Sequence, residues 1–102
     1  MPQFVIERDI PGAGQMSREQ LEEAIRASTS ALDELGPDIQ WIHSFVTDDK
    51  VYCIYFAPDE TLIREHARKA GMPVDRVSAV RSLLREDGVH APGEAAGVTA
   101  TP

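Results

Sequence analysis

The chain has 102 residues, 42% of them hydrophobic, which is the length and composition of one folded domain. Its 17 acidic residues outnumber its 10 basic residues and give a formal net charge of −7, which argues against binding to nucleic-acid phosphates. The single cysteine excludes an intrachain disulfide, and we find no signal peptide and no apolar run long enough to span a membrane. These features predict a cytoplasmic protein that binds neither nucleic acid nor membrane.

The first elements predicted in chain order are a strand and a long helix. Residues 3–8 are apolar and β-branched and precede a loop rich in glycine, as expected for a strand. Ser17 and Gln20 have the spacing of a capping box, and apolar residues then recur at helical spacing. Gly36 and Pro37 end this pattern, so the helix is predicted to stop there.

The second half of the chain predicts a hairpin, a shorter helix and one more extended segment. Two β-rich runs, residues 39–47 and 51–57, are joined by a short polar turn and predict the hairpin. Asp59 can cap a helix that continues to about Ala70. Residues 77–84 alone are compatible with a helix or a strand.

A fourth strand at residues 77–84 gives the most economical fold, because otherwise the sheet keeps three strands and an uncovered edge. The prediction is therefore an α+β, ferredoxin-like βαββαβ fold, with a four-stranded antiparallel sheet and two helices on one face. Residues 86–102 lack periodicity and are rich in Gly, Ala, Pro and Thr, which predicts a disordered tail after a domain of residues 1–85.

The pattern of the two central strands predicts a homodimer. Strict alternation places Trp41, His43 and Phe45 on one face of the first strand, and apolar residues also fall on both faces of the second. Two helices cover only one side of such a sheet, so the other side would expose a large apolar patch. We expect a second copy to cover it, giving a dimeric α/β barrel.

The side chains that suit a transition metal are histidine, cysteine and nearby carboxylates. Imidazole binds nickel, copper and zinc, and carboxylates complete an octahedral shell. His43 and His66 are candidate ligands, but each also fits the role of a packed histidine that bonds a neighbouring carbonyl group. Cys53 is a thiolate ligand or a small buried hydrophobe. Glu7 is a ligand or catalytic carboxylate, or it forms a surface pair with a cross-strand arginine.

An enzyme of the dimeric α/β-barrel type is the alternative. Such barrels hold small aromatic or lactone substrates in an apolar interior, here beside Trp41 and Tyr52 or Tyr55. His43 or His66 would then act as a general base in a monooxygenase-like or isomerase-like reaction.

Three separated blocks of sequence resemble a small bacterial domain-of-unknown-function family that includes a nickel-binding, nickel-responsive protein. The blocks are residues 4–14 (FVIERDIPGAG), residues 39–53 (IQWIHSFVTDDKVYC) and residues 63–67 (IREHA). The resemblance covers roughly residues 3–84. It implies a ferredoxin-like monomer that dimerises, and nickel binding in at least one member of the family.

His43 and His66 lie inside these blocks, so the resemblance points to them first as nickel ligands. Glu7, Cys53 and Glu65 follow as further ligands. The resulting hypothesis is a nickel-binding protein that stores, buffers or responds to the metal, with the small-molecule enzyme as the alternative.

Overall fold

A four-stranded antiparallel sheet carries two helices on one of its faces. The computed structural model describes residues 1–92, and within them the sheet order is β2-β3-β1-β4. The sheet strands are β1 (Gln3–Asp9), β2 (Gln40–Val46), β3 (Lys50–Phe56) and β4 (Arg76–Ala79), and the helices are α1 (Arg18–Leu35) and α2 (Glu60–Ala70). This arrangement confirms the predicted α+β class and is consistent with a ferredoxin-like fold.

Side-chain caps fix the start of both helices. The Ser17 hydroxyl accepts from the Gln20 amide at 3.1 Å, and the Gln20 side chain accepts from the Ser17 amide at 2.8 Å. The Asp59 carboxylate accepts from the Leu62 amide at 3.0 Å. Helix α2 ends at Gly71, whose φ of 72° lies in the left-handed region that favours glycine.

The core lies between the helices and one face of the sheet, here called the helix-side face. Its buried residues come from all parts of the domain: Phe4, Ile6, Ile39, Cys53, Tyr55, Ala57 and Ile63. The opposite surface, here called the open face, carries Val5, Glu7, His43, Phe45, Tyr52 and Ile54, as the strand register requires.

A β-bulge in β2 changes the face of the sheet to which its side chains point. Trp41 and Ser44 pair with the helix-side residues of β3, whereas His43 and Phe45 pair with its open-face residues, because the register shifts between Trp41 and His43. The Trp41 indole Nε1 donates to Ser44 Oγ at 2.9 Å across the bulge. The prediction that Trp41 shares a face with His43 is therefore wrong, since the bulge inserts one residue into the alternation.

The predicted fourth strand is divided. Strand β4 ends at Ala79, and β5 (Leu83–Arg85) pairs with β6 (Gly88–His90) in a separate two-stranded sheet. Gly88, with a φ of 134°, lies at the turn that reverses the chain. A disordered tail was predicted from residue 86 onwards, but residues 88–90 form a paired strand. Residues 93–102 of the predicted tail lie outside the described part of the chain. Within the described part, no helix has the length and apolarity to cross a membrane.

Removing the Asp59 cap tests whether it stabilises the start of α2. We expect Asp59→Ala to lower the free energy of unfolding by about 1 kcal/mol, because the Leu62 amide loses its acceptor. Asp33→Ala, which removes the same charge from an exposed position inside α1, is the matched control and should change stability by less than about 0.5 kcal/mol. Urea denaturation measures both, and equal effects would show that the cap has no specific role.

Candidate functional site

The five predicted metal ligands lie in three separate places. Glu7 and His43 are on the open face, Cys53 and His66 are buried on the helix side, and Glu65 is on the surface of α2. Among residues 1–92, no group of three or more His, Cys, Asp or Glu side chains is placed to hold a metal ion. One subunit therefore does not bring the predicted ligand set together.

The open face presents an accessible imidazole among aromatic side chains. His43 is exposed, and its ring packs edge-on against Phe45 with 5.0 Å between ring centroids. Phe45 itself keeps 58% of its surface exposed and pairs with Tyr52, which in turn pairs with Glu7. The Glu7 carboxylate lies 3.7 Å from Lys50 Nζ, so its surface ion pair is with a lysine of β3 and not with the predicted arginine.

His66 occupies the role of a packed histidine. It is buried on α2, and its Nε2 lies 3.1 Å from the Ser28 carbonyl oxygen and 3.3 Å from the Ser28 hydroxyl. A carbonyl oxygen only accepts, so in this contact Nε2 is the hydrogen-bond donor. Burial lowers the pKa of His66, and the nearby Arg8 charge lowers it further, against the opposing hydrogen bond to Ser28.

Glu65 and Cys53 also have partners in the structure. The Glu65 carboxylate pairs with Arg68 at 2.9 Å, and the hydrogen bond from this guanidinium lowers the pKa of Glu65. The Cys53 sulfur accepts from Arg8 Nε at 3.4 Å. Cys53 is therefore a buried sulfur beside a cation, on the opposite side of the sheet from His43.

Arg8 is a buried charged residue that was not among the candidates from the sequence. Its side chain is only 1% exposed, and Nη1 donates to the Pro73 carbonyl at 2.7 Å. Its Nη2 is buried with no hydrogen-bond partner, and no ion pair joins it to a carboxylate within residues 1–92. The signal was present in β1, where Arg8 continues the buried alternation of Phe4 and Ile6.

A cavity of about 270 Å³ lies between α1 and the helix-side face of β2 and β3. Most of its wall is aliphatic, and Ser28, Ser44 and Tyr55 contribute its polar groups. Burial raises the pKa of Tyr55 and the neighbouring Cys53 adds to the increase, while interactions with Arg8 and Ser28 oppose it. The cavity is thus lined mainly by apolar side chains and is bounded on one side by buried polar residues of the core.

Comparison with known proteins identifies the family to which this chain belongs. Residues 4–80 match the family model described as nickel responsive protein SCO4226-like, which confirms the resemblance seen in the three sequence blocks. The structure is similar to the crystal structure of SCO4226 from Streptomyces coelicolor A3(2), with a TM-score of 0.63 and 22% identity. That match covers 81% of this chain and 99% of the other, and at this identity it shows a shared fold. No curated protein matches the chain.

The lowered pKa of His66 predicts a pH dependence of stability. The unfolded chain binds a proton near the ordinary histidine pKa of 6.5, whereas the folded chain resists protonation until a lower pH. The contribution of His66 to the free energy of unfolding is thus complete above about pH 6.5. It is lost as the pH falls below that value, at no more than about 1.4 kcal/mol per pH unit.

Replacing His66 with an uncharged donor separates this contribution from other titrations. We expect His66→Gln to reduce the slope of the unfolding free energy against pH between about pH 6.5 and pH 5. Denaturant titrations at a series of pH values measure the slope. A slope that is the same in His66→Gln and in the native chain would contradict the assignment.

Proposed function

The chain belongs to the SCO4226-like family of nickel responsive proteins, and we propose that it binds a divalent transition metal, nickel first, at a contact between two copies. The observation that carries this proposal is the family match, which extends from residue 4 to residue 80. The proposed role is storage, buffering or response to the metal.

The donor groups of one subunit do not complete a nickel site. Nickel takes several nitrogen and oxygen ligands, and within residues 1–92 no three suitable side chains converge. His43 supports a site at a subunit contact, because its imidazole is exposed and it lies on the face that the helices leave uncovered. A two-fold contact presents the same residue from both subunits, which doubles the number of donors.

A homodimer through the open face is part of this proposal. Phe45 is 58% exposed beside the half-buried Tyr52 and Ile54, and a second copy would remove this aromatic surface from water. The hairpin of β5 and β6 also exposes apolar side chains, since Leu84 and Val89 pair in register and are both more than 70% exposed.

The alternative function, a monooxygenase-like or isomerase-like enzyme, is favoured by the cavity beside Tyr55. Each of the two histidines considered as general bases has a property that weakens this alternative. His43 lies on the opposite face of the sheet from the cavity, and the Nε2 of His66 is hydrogen-bonded to Ser28. The cavity therefore supports the binding of a small molecule more directly than its conversion.

The proposed dimer predicts a specific effect of Phe45. We expect the native chain to sediment as a dimer at micromolar concentration and Phe45→Ser to shift it towards monomer, because the change removes the most exposed aromatic side chain of the contact. Ile25→Ser is the matched control, since Ile25 is 47% exposed on α1, on the other side of the sheet. A native chain that sediments as a monomer would refute the dimer.

The proposed metal site is tested by calorimetric titration of nickel into metal-free, tag-free protein. We expect a defined stoichiometry and an affinity at least about tenfold weaker in His43→Ala, since an imidazole ligand is lost. His66→Gln keeps a donor towards Ser28 and should leave nickel affinity unchanged. Binding with no defined stoichiometry would indicate adsorption to the acidic surface, and loss of binding in His66→Gln alone would place the site in the core instead.

A further inference from the structure

The cavity beneath α1 has an apolar entrance and a buried polar end. Ile25 and Val46, on its wall, keep 47% and 44% of their surface exposed, so the cavity opens between α1 and the edge strand β2. At the other end Ser28 and Tyr55 are 4% and 1% exposed. A ligand that enters here places an apolar body near the opening and a polar group at the inner end.

The inner end carries hydroxyl groups that interact with the rest of the core. Ser28 Oγ lies 3.3 Å from His66 Nε2, and the Tyr55 ring lies 5.2 Å from the His66 ring. Hydroxyl groups both donate and accept, so Ser28 and Tyr55 can donate to an oxygen of a ligand without a change of backbone.

Arg8 lies next to the wall of the cavity, because it pairs across β1 and β3 with Val51, which lines the cavity. Its guanidinium is always charged, is almost fully buried and lacks a carboxylate partner among residues 1–92. Its Nε lies 3.4 Å from the sulfur of Cys53, which shares the helix-side face of β3 with Tyr55. An uncompensated buried cation is costly, and a nearby anion reduces that cost more effectively inside the protein than in water.

We propose that the cavity binds a small aromatic carboxylate of one ring. The ring lies among the aliphatic side chains near the opening, and the carboxylate accepts from Ser28 and Tyr55 in the positive potential of Arg8. This site is distinct from the proposed nickel site, because the cavity and His43 lie on opposite faces of the sheet.

The size and charge of the site restrict its ligand. Sites for drug-sized molecules usually enclose roughly 300–1,000 Å³, so a cavity of about 270 Å³ suits one ring with a short substituent. The net charge of −7 opposes an anion at long range, but salt screens that repulsion beyond about 10 Å. The local guanidinium and hydroxyl groups therefore decide the preference for a carboxylate.

Trp41 provides a direct readout of occupancy. It is the single tryptophan of the chain and it lines the cavity. We would titrate the nickel-free protein with phenylacetate and with the neutral phenylacetamide, following Trp41 fluorescence, and measure the stoichiometry by calorimetry. A tryptophan derivative in free solution corrects for quenching without binding. We expect saturable binding of one phenylacetate per subunit, at least about tenfold tighter than phenylacetamide.

Three variants test the placement of the ligand. Tyr55→Phe removes one hydroxyl group and should reduce the preference for phenylacetate over phenylacetamide. Val46→Phe narrows the opening and should abolish binding of both compounds, whereas Val89→Phe, the same change on the exposed hairpin, should leave binding intact. Circular dichroism verifies that each variant is folded.

The outcomes separate the parts of the proposal. An absence of saturable binding up to about 10 mM phenylacetate, weaker than expected even for a ligand of this size, would overturn it. Unchanged binding in Val46→Phe would also overturn it, because the ligand would lie elsewhere. Equal affinity for phenylacetamide would overturn the assignment of a carboxylate ligand.

Discussion

Two helices can cover only one face of a four-stranded sheet, and the arrangement of this molecule depends on that constraint. The helix-side face buries the aliphatic core and a small set of polar residues, while the open face keeps His43 and Phe45 in contact with solvent. Each face thus has a different physical character, and each supports a different proposed activity. A metal contact belongs to the exposed face, and a small-molecule site belongs to the space beneath α1.

The β-bulge between Trp41 and His43 determines which residues belong to each face. Without it, Trp41 and His43 would share one face, and the indole would not reach Ser44 on the wall of the cavity. The bulge therefore places an aromatic wall residue inside and an imidazole outside within three consecutive positions. Such local irregularities are often found where a strand must present a side chain in a particular direction.

Local signals explain why most of the fold was predictable. The capping box of Ser17 and Gln20 and the Asp59 cap each use contacts within four residues, so the sequence contains all of their information. The end of β4 was predicted less well, because residues 77–84 contain no glycine or proline to mark a break, although only the first part of this segment pairs with β1. Pairing with a distant strand, rather than local composition, decides where such a strand stops.

The candidate site was less predictable, because it depends on how the elements pack. His66 fitted both a metal ligand and a packed histidine from the sequence, because its partner Ser28 belongs to the other helix and cannot be identified from spacing. The burial of Arg8 could have been predicted, since it follows Phe4 and Ile6 in alternation along β1. A charged residue at a strand end is normally exposed, however, so its burial was not expected. The cavity depends on the distance between α1 and the sheet, which no motif encodes.

Strand β3 is the element through which the two proposed sites would influence each other. Cys53 and Tyr55 point to the helix side, and the intervening Ile54 pairs with His43 on the open face. Because alternate residues of a strand share one backbone, a shift of β3 caused by a subunit contact would also move Tyr55 at the inner end of the cavity. Coupling would require two discrete positions of this strand, each favoured by one ligand, since a ligand shifts an equilibrium only by its differential affinity. In the absence of such a pair of positions, metal and carboxylate would bind independently, as expected for sites separated by the full thickness of a sheet.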